Sequence, residues 1–356
     1  MRNIKLFLML LMMFIIGTLF SEVKQDVIKS KTDMEILKQE KTIKFDEDSP
    51  VVGNFIITHD RIYFVNPMEK LFYICDLDGN EIKVVDNKGK GPGEFSMPTK
   101  IFEDKKNNCI GIVDQMNRRT SYFDYDGNYI KDVKFEYTKI PLALKYLGDD
   151  KVLFYMGVEV NRKKGTVLSK PTIQLIKKDT TITLYAESFN PMSMNIGNSK
   201  IPIFEVSRDR IYISKMNPEN YEITVFDKNG NQVEIIKKKV KKVKRPQKEI
   251  DEIEARLEQA KKQAKAAGSK IELNFSGYQY AYFINNLLVD SNENLWVYTL
   301  NKEGSFFDVI NKSGKVIKKI KLKNDEMATV KIYKNKIYEF SGNEDDGYQL
   351  DIYKIN

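Results

Sequence analysis

A single histidine, His59, occurs in 356 residues. That scarcity excludes multi-histidine zinc sites, serine or cysteine triads and imidazole acid–base pairs, because each needs a histidine with partners. His59 lies in Ile57-Thr58-His59-Asp60-Arg61, which reads as a solvated turn leading into a strand. Cysteine is nearly as scarce. Cys75 and Cys109 both sit in apolar, strand-like runs, Phe72-Tyr73-Ile74-Cys75 and Cys109-Ile110-Gly111-Ile112. An oxidising compartment would permit a disulfide, but residues in such runs are expected as small buried thiols. Gly89-Lys90-Gly91-Pro92-Gly93 is rich in glycine, yet no Gly-Lys-Ser/Thr follows and no helix opens after it. A phosphate-cradling loop is therefore not expected there, and an inter-strand turn is.

The apolar run Leu6 to Phe20 is about fifteen residues long, short of the roughly twenty that span a bilayer. Arg2 and Lys5 precede it, and Gly17, Thr18 and Ser21 supply small residues at its end. Residues 1–21 thus read as an export signal cleaved near Ser21, with an uncleaved anchor as the alternative, since Leu19 matches a cleavage site poorly. No cysteine follows the run, so a lipid attachment site is not expected. A polar spacer is expected over 22–40. The protein is accordingly placed in the periplasm, the cell envelope or outside the cell.

What the chain does contain is sheet-forming residues, 19 Tyr and 20 Phe spread along its length, and a net charge of +8. The charge is uneven. Lys237-Lys238-Lys239-Val240-Lys241-Lys242-Val243-Lys244-Arg245 carries seven cations in nine residues. Such a run attracts nucleic acid, acidic glycans or anionic headgroups. It equally suits a solvated edge strand whose lysines deter strand-to-strand pairing, and its valine spacing favours that reading. Export argues against nucleic acid and leaves weak membrane-surface contact open.

A degenerate unit recurs: strand, polar turn, strand ending in Asp or Asn, glycine turn, strand. Its clearest copies are Cys75-Asp76-Leu77-Asp78-Gly79-Asn80 and Phe123-Asp124-Tyr125-Asp126-Gly127-Asn128. Phe226-Asp227-Lys228-Asn229-Gly230-Asn231 and Ile310-Asn311-Lys312-Ser313-Gly314-Lys315 repeat the pattern. Asp-Gly and Asn-Gly supply the positive φ of tight hairpins. The intervals between these glycines fit six units of roughly 45 residues, one of them enlarged by about 35. All-β architecture follows, a six-bladed β-propeller over residues 41–356. The last unit, ending in Tyr348 to Tyr353, lacks a final strand. Lys41-Thr42-Ile43-Lys44-Phe45 is a lone strand with period-two alternation, expected to supply it and close the ring.

Gly89-x-Gly91-Pro92-Gly93-Glu94-Phe95-x-x-Pro98, followed by a strand and the Asp-x-Asp-Gly hairpin, resembles bacterial six-bladed propellers related to the NHL repeat. The likeness is strongest over Arg61 to Val133. It implies an exported binding scaffold.

One segment breaks the β pattern. Residues 246–268 read as a helical insertion, with Pro246 at its start, Gly268 at its end and Ile250, Ile253, Leu257, Ala260 and Ala264 on one stripe. Glu252 with Arg256 and Glu258 with Lys262 are spaced as i,i+4 pairs. The stripe either packs on its own propeller or docks a partner. Ile250, Ile253, Leu257, Lys241 and Lys242 are the candidate partner-binding residues.

The Asp-x-Asp-Gly turns resemble fragments of calcium loops but lack a distal bidentate glutamate, so no cofactor is expected, calcium remaining the weak exception. Aromatics in Tyr278-Gln279-Tyr280-Ala281-Tyr282-Phe283 and Trp296-Val297-Tyr298 suit the core better than a sugar-binding face. The function expected is a non-catalytic scaffold that meets a protein or glycan partner through blade loops and the inserted helix. The alternative is a metal-dependent hydrolase or lactonase with its site at the mouth of the central channel, marked by converging carboxylates and amides.

Overall fold

Asp76 shows how the repeat turns the chain. Its Oδ1 accepts the backbone N–H groups of Asp78 and Asn80, each at 2.8 Å, and its Oδ2 accepts the Asn80 side-chain amide at 2.8 Å. Gly79 follows with φ +88°, and its N–H donates to the Asp76 carbonyl at 3.2 Å. Positive φ falls on the glycine alone, so this tight hairpin is a type I turn closed by a glycine bulge. The register shift between Ile74 and Cys75 is that bulge. Asp124 and Asp227 make the same three bonds with Asn128 and Asn231 as the amide donors, and Asn311 reproduces the two backbone ones.

These turns join the third and fourth strands of successive antiparallel sheets. The computed structural model describes residues 35–45, 54–136, 138–161, 166–191, 193–195, 200–266, 274–277, 279–301, 304–322, 329–343 and 347–355. Six sheets follow one another. Blade 1 comprises Phe55–Thr58, Arg61–Asn66, Leu71–Asp76 and Glu81–Val85, and blade 2 comprises Pro98–Asp104, Cys109–Asp114, Arg119–Phe123 and Tyr129–Lys134. Blade 3 holds Lys139–Leu147, Asp150–Asn161, Thr166–Ile176 and Thr181–Ala186. Blade 4 holds Pro202–Val206, Arg210–Lys215, Asn220–Asp227 and Gln232–Lys239. Blade 5 runs through Ile284–Val289, Leu295–Asn301, Gly304–Ile310 and Val316–Lys321. Blade 6 has Thr329–Tyr333, Lys336–Asn343 and Gly347–Lys354 from the end of the chain.

The fourth strand of blade 6 is Gln39–Phe45, antiparallel to Gly347–Lys354 with Ile43 opposite Leu350. The ring is therefore closed by the N-terminal strand, as its alternation implied. That strand begins at Gln39, and Glu35–Ile36 ahead of it pairs in parallel with Val316–Lys321 of blade 5. Leu37 between them is buried in the interface of blades 5 and 6. The leader expected over residues 1–21 lies outside the described residues.

The hydrophobic core is divided among the gaps between blades. Ile43, Phe55, Phe64, Tyr338, Phe340 and Leu350 fill the gap between blades 6 and 1, and Tyr63, Phe72, Ile101, Ile110 and Phe123 that between 1 and 2. Equivalent clusters occupy the remaining four gaps. Cys75 and Cys109 are buried free thiols on blades 1 and 2. Burial pushes both upward, Cys75 to about 12 and Cys109 to about 11.

Each glycine turn also leans on the blade before it. A Cβ at Gly79 would lie 2.3 Å from Cγ2 of Ile43 on the closing strand, and one at Gly127 would lie 2.8 Å from Cδ1 of Ile74 on blade 1. Gly79→Ala is expected to cost roughly 2–4 kcal/mol, part from left-handed backbone and part from overpacking. Gly148 is the control, with φ +60° and nothing within 4 Å of an added methyl group, so its alanine variant meets only the backbone part. Urea denaturation of the two variants measures the difference. Equal losses would mean that the turn does not brace the closing strand.

Candidate functional site

The lysine run is largely used by the fold. Lys237, Lys238 and Lys239 end the outermost strand of blade 4. Lys237 pairs with Glu222 at 3.0 Å, and Lys238 reaches the buried Asp308 of blade 5 at 2.5 Å while lying 4.4 Å from the centre of the Tyr221 ring. Lys242 is exposed but ion-paired with Glu219 and set over Tyr280. Lys241 is exposed and has no ion pair among the described residues.

The insertion is a small unit on the ring. Val243–Lys244 pairs with Tyr280–Ala281, and Asn274–Ser276 pairs in parallel with Ser193–Asn195 from the link between blades 3 and 4. Between them the helix runs from Gln247 to Ala266, inside the expected 246–268. Its stripe is not a free face. Ile250, Leu257 and Ala260 are 3–4% exposed and Ile253 is half-buried, so the first two are withdrawn from any partner that meets the surface of this chain. The side chain of Ala264 and residues 267–268 lie outside the described residues. Glu258 takes Lys261 at 2.6 Å, one position short of the expected Lys262, and Glu252 stands 3.9 Å from Lys248. Arg245, at the helix entrance, is buried with Glu249 at 3.1 Å.

The other motifs resolve into structure. The turn carboxylates of Asp76, Asp124 and Asp227 are surrounded by N–H donors, which a cation would have to displace. In the glycine loop, Glu94 Oε2 accepts the Gly91 N–H at 2.6 Å, and the loop carbonyls of Lys90, Gly91 and Glu94 accept from the buried Arg119 guanidinium. The loop thus presents carbonyls to a cation of its own chain, which is the opposite of an anion cradle. Trp296, Tyr298 and Tyr282 are buried, and the Trp296 indole donates to Asp290 at 2.8 Å. Tyr278 lies outside the described residues. His59 is half-exposed, as a turn residue, but its ring stacks on Tyr125 of blade 2 with centroids 3.7 Å apart.

The arrangement that spacing could not show lies on the axis. Lys100 is on the innermost strand of blade 2, Lys145 on that of blade 3, Glu205 on that of blade 4 and Lys331 on that of blade 6. Blades 3 and 6 are opposite in a six-membered ring, and the charges of Lys145 and Lys331 repel each other across it. Lys145 donates to Glu205 Oε1 at 2.5 Å, and the same oxygen accepts the Val206 N–H at 2.9 Å. Lys100 and Lys331 have no ion pair among the described residues. Each is half-buried. Burial is the first cause that pushes Lys331 from 10.5 down to about 8, with repulsion from Lys145 and Lys100 adding to it and Glu205 opposing. Burial also pushes Lys100 downward. In sequence, the signal was a lysine inside each apolar strand, as in Val330-Lys331-Ile332 and Leu144-Lys145-Tyr146. Among the described residues, no three His, Cys, Asp or Glu side chains converge to hold a metal ion.

The Lys331 shift has a consequence for stability. Below about 8 both folded and unfolded chains carry the proton, and between about 8 and 10.5 only the unfolded chain does. Stability contributed by this group therefore rises with pH across that window. The buried thiols act the other way, because the unfolded chain releases their protons first. Comparing Lys331→Met with the parent isolates the lysine. The variant is expected to be more stable at pH 7, and its advantage should shrink towards pH 10 in urea titrations. An advantage independent of pH would exclude this account.

Comparison with known proteins agrees with the ring. A sequence family described as 6-bladed beta-propeller matches residues 46–198. No curated protein matches the sequence. Among solved structures, a member of the duf4221 family from Bacteroides vulgatus superposes with a TM-score of 0.54 at 11% identity, covering 93% of this chain and 98% of that one. The beta-propeller domain of Cps50 (Swd1) from Myceliophteria thermophila superposes with a TM-score of 0.51 at 10% identity, covering 90% and 100%. At such identities the likeness establishes the fold, a six-bladed β-propeller, and nothing finer.

Proposed function

We propose that this propeller is an exported, non-catalytic binding scaffold whose ligand or partner meets the channel mouth and the face bearing the inter-blade links. In four-stranded antiparallel blades every link from an outermost strand to the next innermost strand emerges on one face. The glycine loop and the 243–281 insertion share that face, and the pairing of Asn274–Ser276 with Ser193–Asn195 joins two such links. The leader-like residues 1–21 support export.

The observation that carries the reading is where the charges go. The carboxylates of the turns, the glycine loop and the blade interfaces are engaged by donors of the fold, while Lys100 and Lys331 have no counter-charge among the described residues. A metal-dependent hydrolase needs a converging set of carboxylates, and cations without counter-charges attract an anionic ligand. Chromogenic lactones, esters and phosphoesters, each with and without added calcium or zinc, test the class. No turnover above background is expected; turnover abolished by Glu205→Gln would replace this reading with the channel-mouth hydrolase. Cell fractionation tests export, and recovery in the cytoplasm would remove it.

A further inference from the structure

We propose that Lys100 and Lys331 form a site in the central channel for an oxyanion group of the ligand: phosphate, sulfate or carboxylate. This deepens the binding reading and rests on it. The innermost strands of blades 2, 3 and 6 carry Lys100, Lys145 and Lys331, the Lys331 charge is repelled by the other two, and the carboxylate that opposes this among the described residues is Glu205. Glu205 is committed to Lys145 and to its neighbour's N–H, so it leaves the other two lysines unneutralised.

Cations withdrawn from bulk water are costly unless paired, and these repel each other as well. The surrounding strands offer no relief. Asn54 donates its amide to the Thr99 carbonyl at 3.1 Å and Asn286 donates to the Val330 carbonyl at 3.4 Å, which ties one neighbouring blade to the residue before each lysine. Among the described residues no counter-charge is left for these two lysines, and an anionic ligand would supply it. An ammonium group is a compact three-donor charge without the planar fork of arginine, and two of them from different blades suit an oxyanion approached from two sides.

The test is calorimetric titration of the full chain at pH 7 and low salt with inorganic phosphate, inorganic sulfate and malonate in separate arms. One-site binding is expected in at least one arm, and the arms separate a phosphate or sulfate ligand from a carboxylate. Lys100→Met and Lys331→Met should each weaken that binding by roughly tenfold or more, since each removes a charged hydrogen-bond donor. Lys228→Met, in an exposed hairpin turn of blade 4, should leave it unchanged. Both channel variants remove an unpaired charge, so they are expected to fold, and thermal unfolding checks that they do. With sulfate or malonate, whose charge is constant in this range, affinity should fall as pH rises from 7 to 9.5, as Lys331 loses its proton among Lys100, Lys145 and Glu205. Absence of heat in all three arms at millimolar anion, or equal affinity in the channel variants and the parent, would overturn the site while leaving the scaffold reading intact. Catalytic turnover with intact anion binding would do the reverse.

Discussion

A chain lacking residues 35–45 is expected to lose its cooperative unfolding transition and to associate. Those residues bury Leu37 and Ile43 in the two interfaces flanking blade 6. Each buried aliphatic side chain stabilises by about 1.5–3 kcal/mol, and whole domains hold only about 5–15 kcal/mol. The loss extends beyond side chains. Six residues of Gly347–Lys354 would lose their outer partners, leaving an edge that carries Leu350 and Ile352. Unpaired edges of that kind recruit other strands. Trp296 is buried in the interface of blades 5 and 6 and reports on it directly. Its fluorescence through a urea titration, with size-exclusion chromatography, measures both effects. An unchanged midpoint with monomeric elution would show that the ring does not depend on its closing strand.

The second large effect is expected from Arg119→Met. Arg119 is buried, and its guanidinium gathers the carbonyls of Lys90 at 3.2 Å and Glu94 at 2.7 Å, that of Gly91, and Asp132 at 3.0 Å. One side chain thus fastens the link between blades 1 and 2 to the body of blade 2. Removing one partner of a buried ion pair costs about 3–5 kcal/mol, because the other charge is left without compensation. Arg119→Lys should rescue little, since an ammonium group cannot reproduce the fork that spans these acceptors. Arg119→Met with Asp132→Asn should recover part of the loss by removing the stranded charge. Urea denaturation of the three variants gives the comparison. A loss below about 1 kcal/mol in the single variant would reduce Arg119 to an ordinary surface-grade contact.

Both effects trace to features with different visibility in sequence. The closing strand was legible because its alternation, and the missing strand of the last unit, are patterns within short segments. The glycine turns were legible for the same reason, since Asp76 bonds only to residues within four positions of itself. Their contact with the preceding blade was not. Nothing in Asp78-Gly79 points to Ile43, although that contact is what forbids a side chain there.

The lysine run and the helical stripe illustrate the limit for function. Seven cations in nine residues suggest a partner, yet Lys238 is absorbed by Asp308 on the next blade and Lys242 by Glu219. Ile250 and Leu257 were rightly placed on one stripe, but periodicity is silent on what covers a stripe, and these two are already covered. The channel lysines show the converse. Each is one lysine in an apolar strand, and they stand far apart in the chain.

The amino-acid order alone determined the all-β architecture, the six units, the position of the helix and the strand that shuts the ring, because local hydrogen bonds and side-chain alternation specify those. Only the closed ring decided which charges are neutralised and which are left facing one another, because blades 3 and 6 become neighbours across the axis when all six are in place. Charge acts through distance in space, and distance across a ring is set by the whole chain.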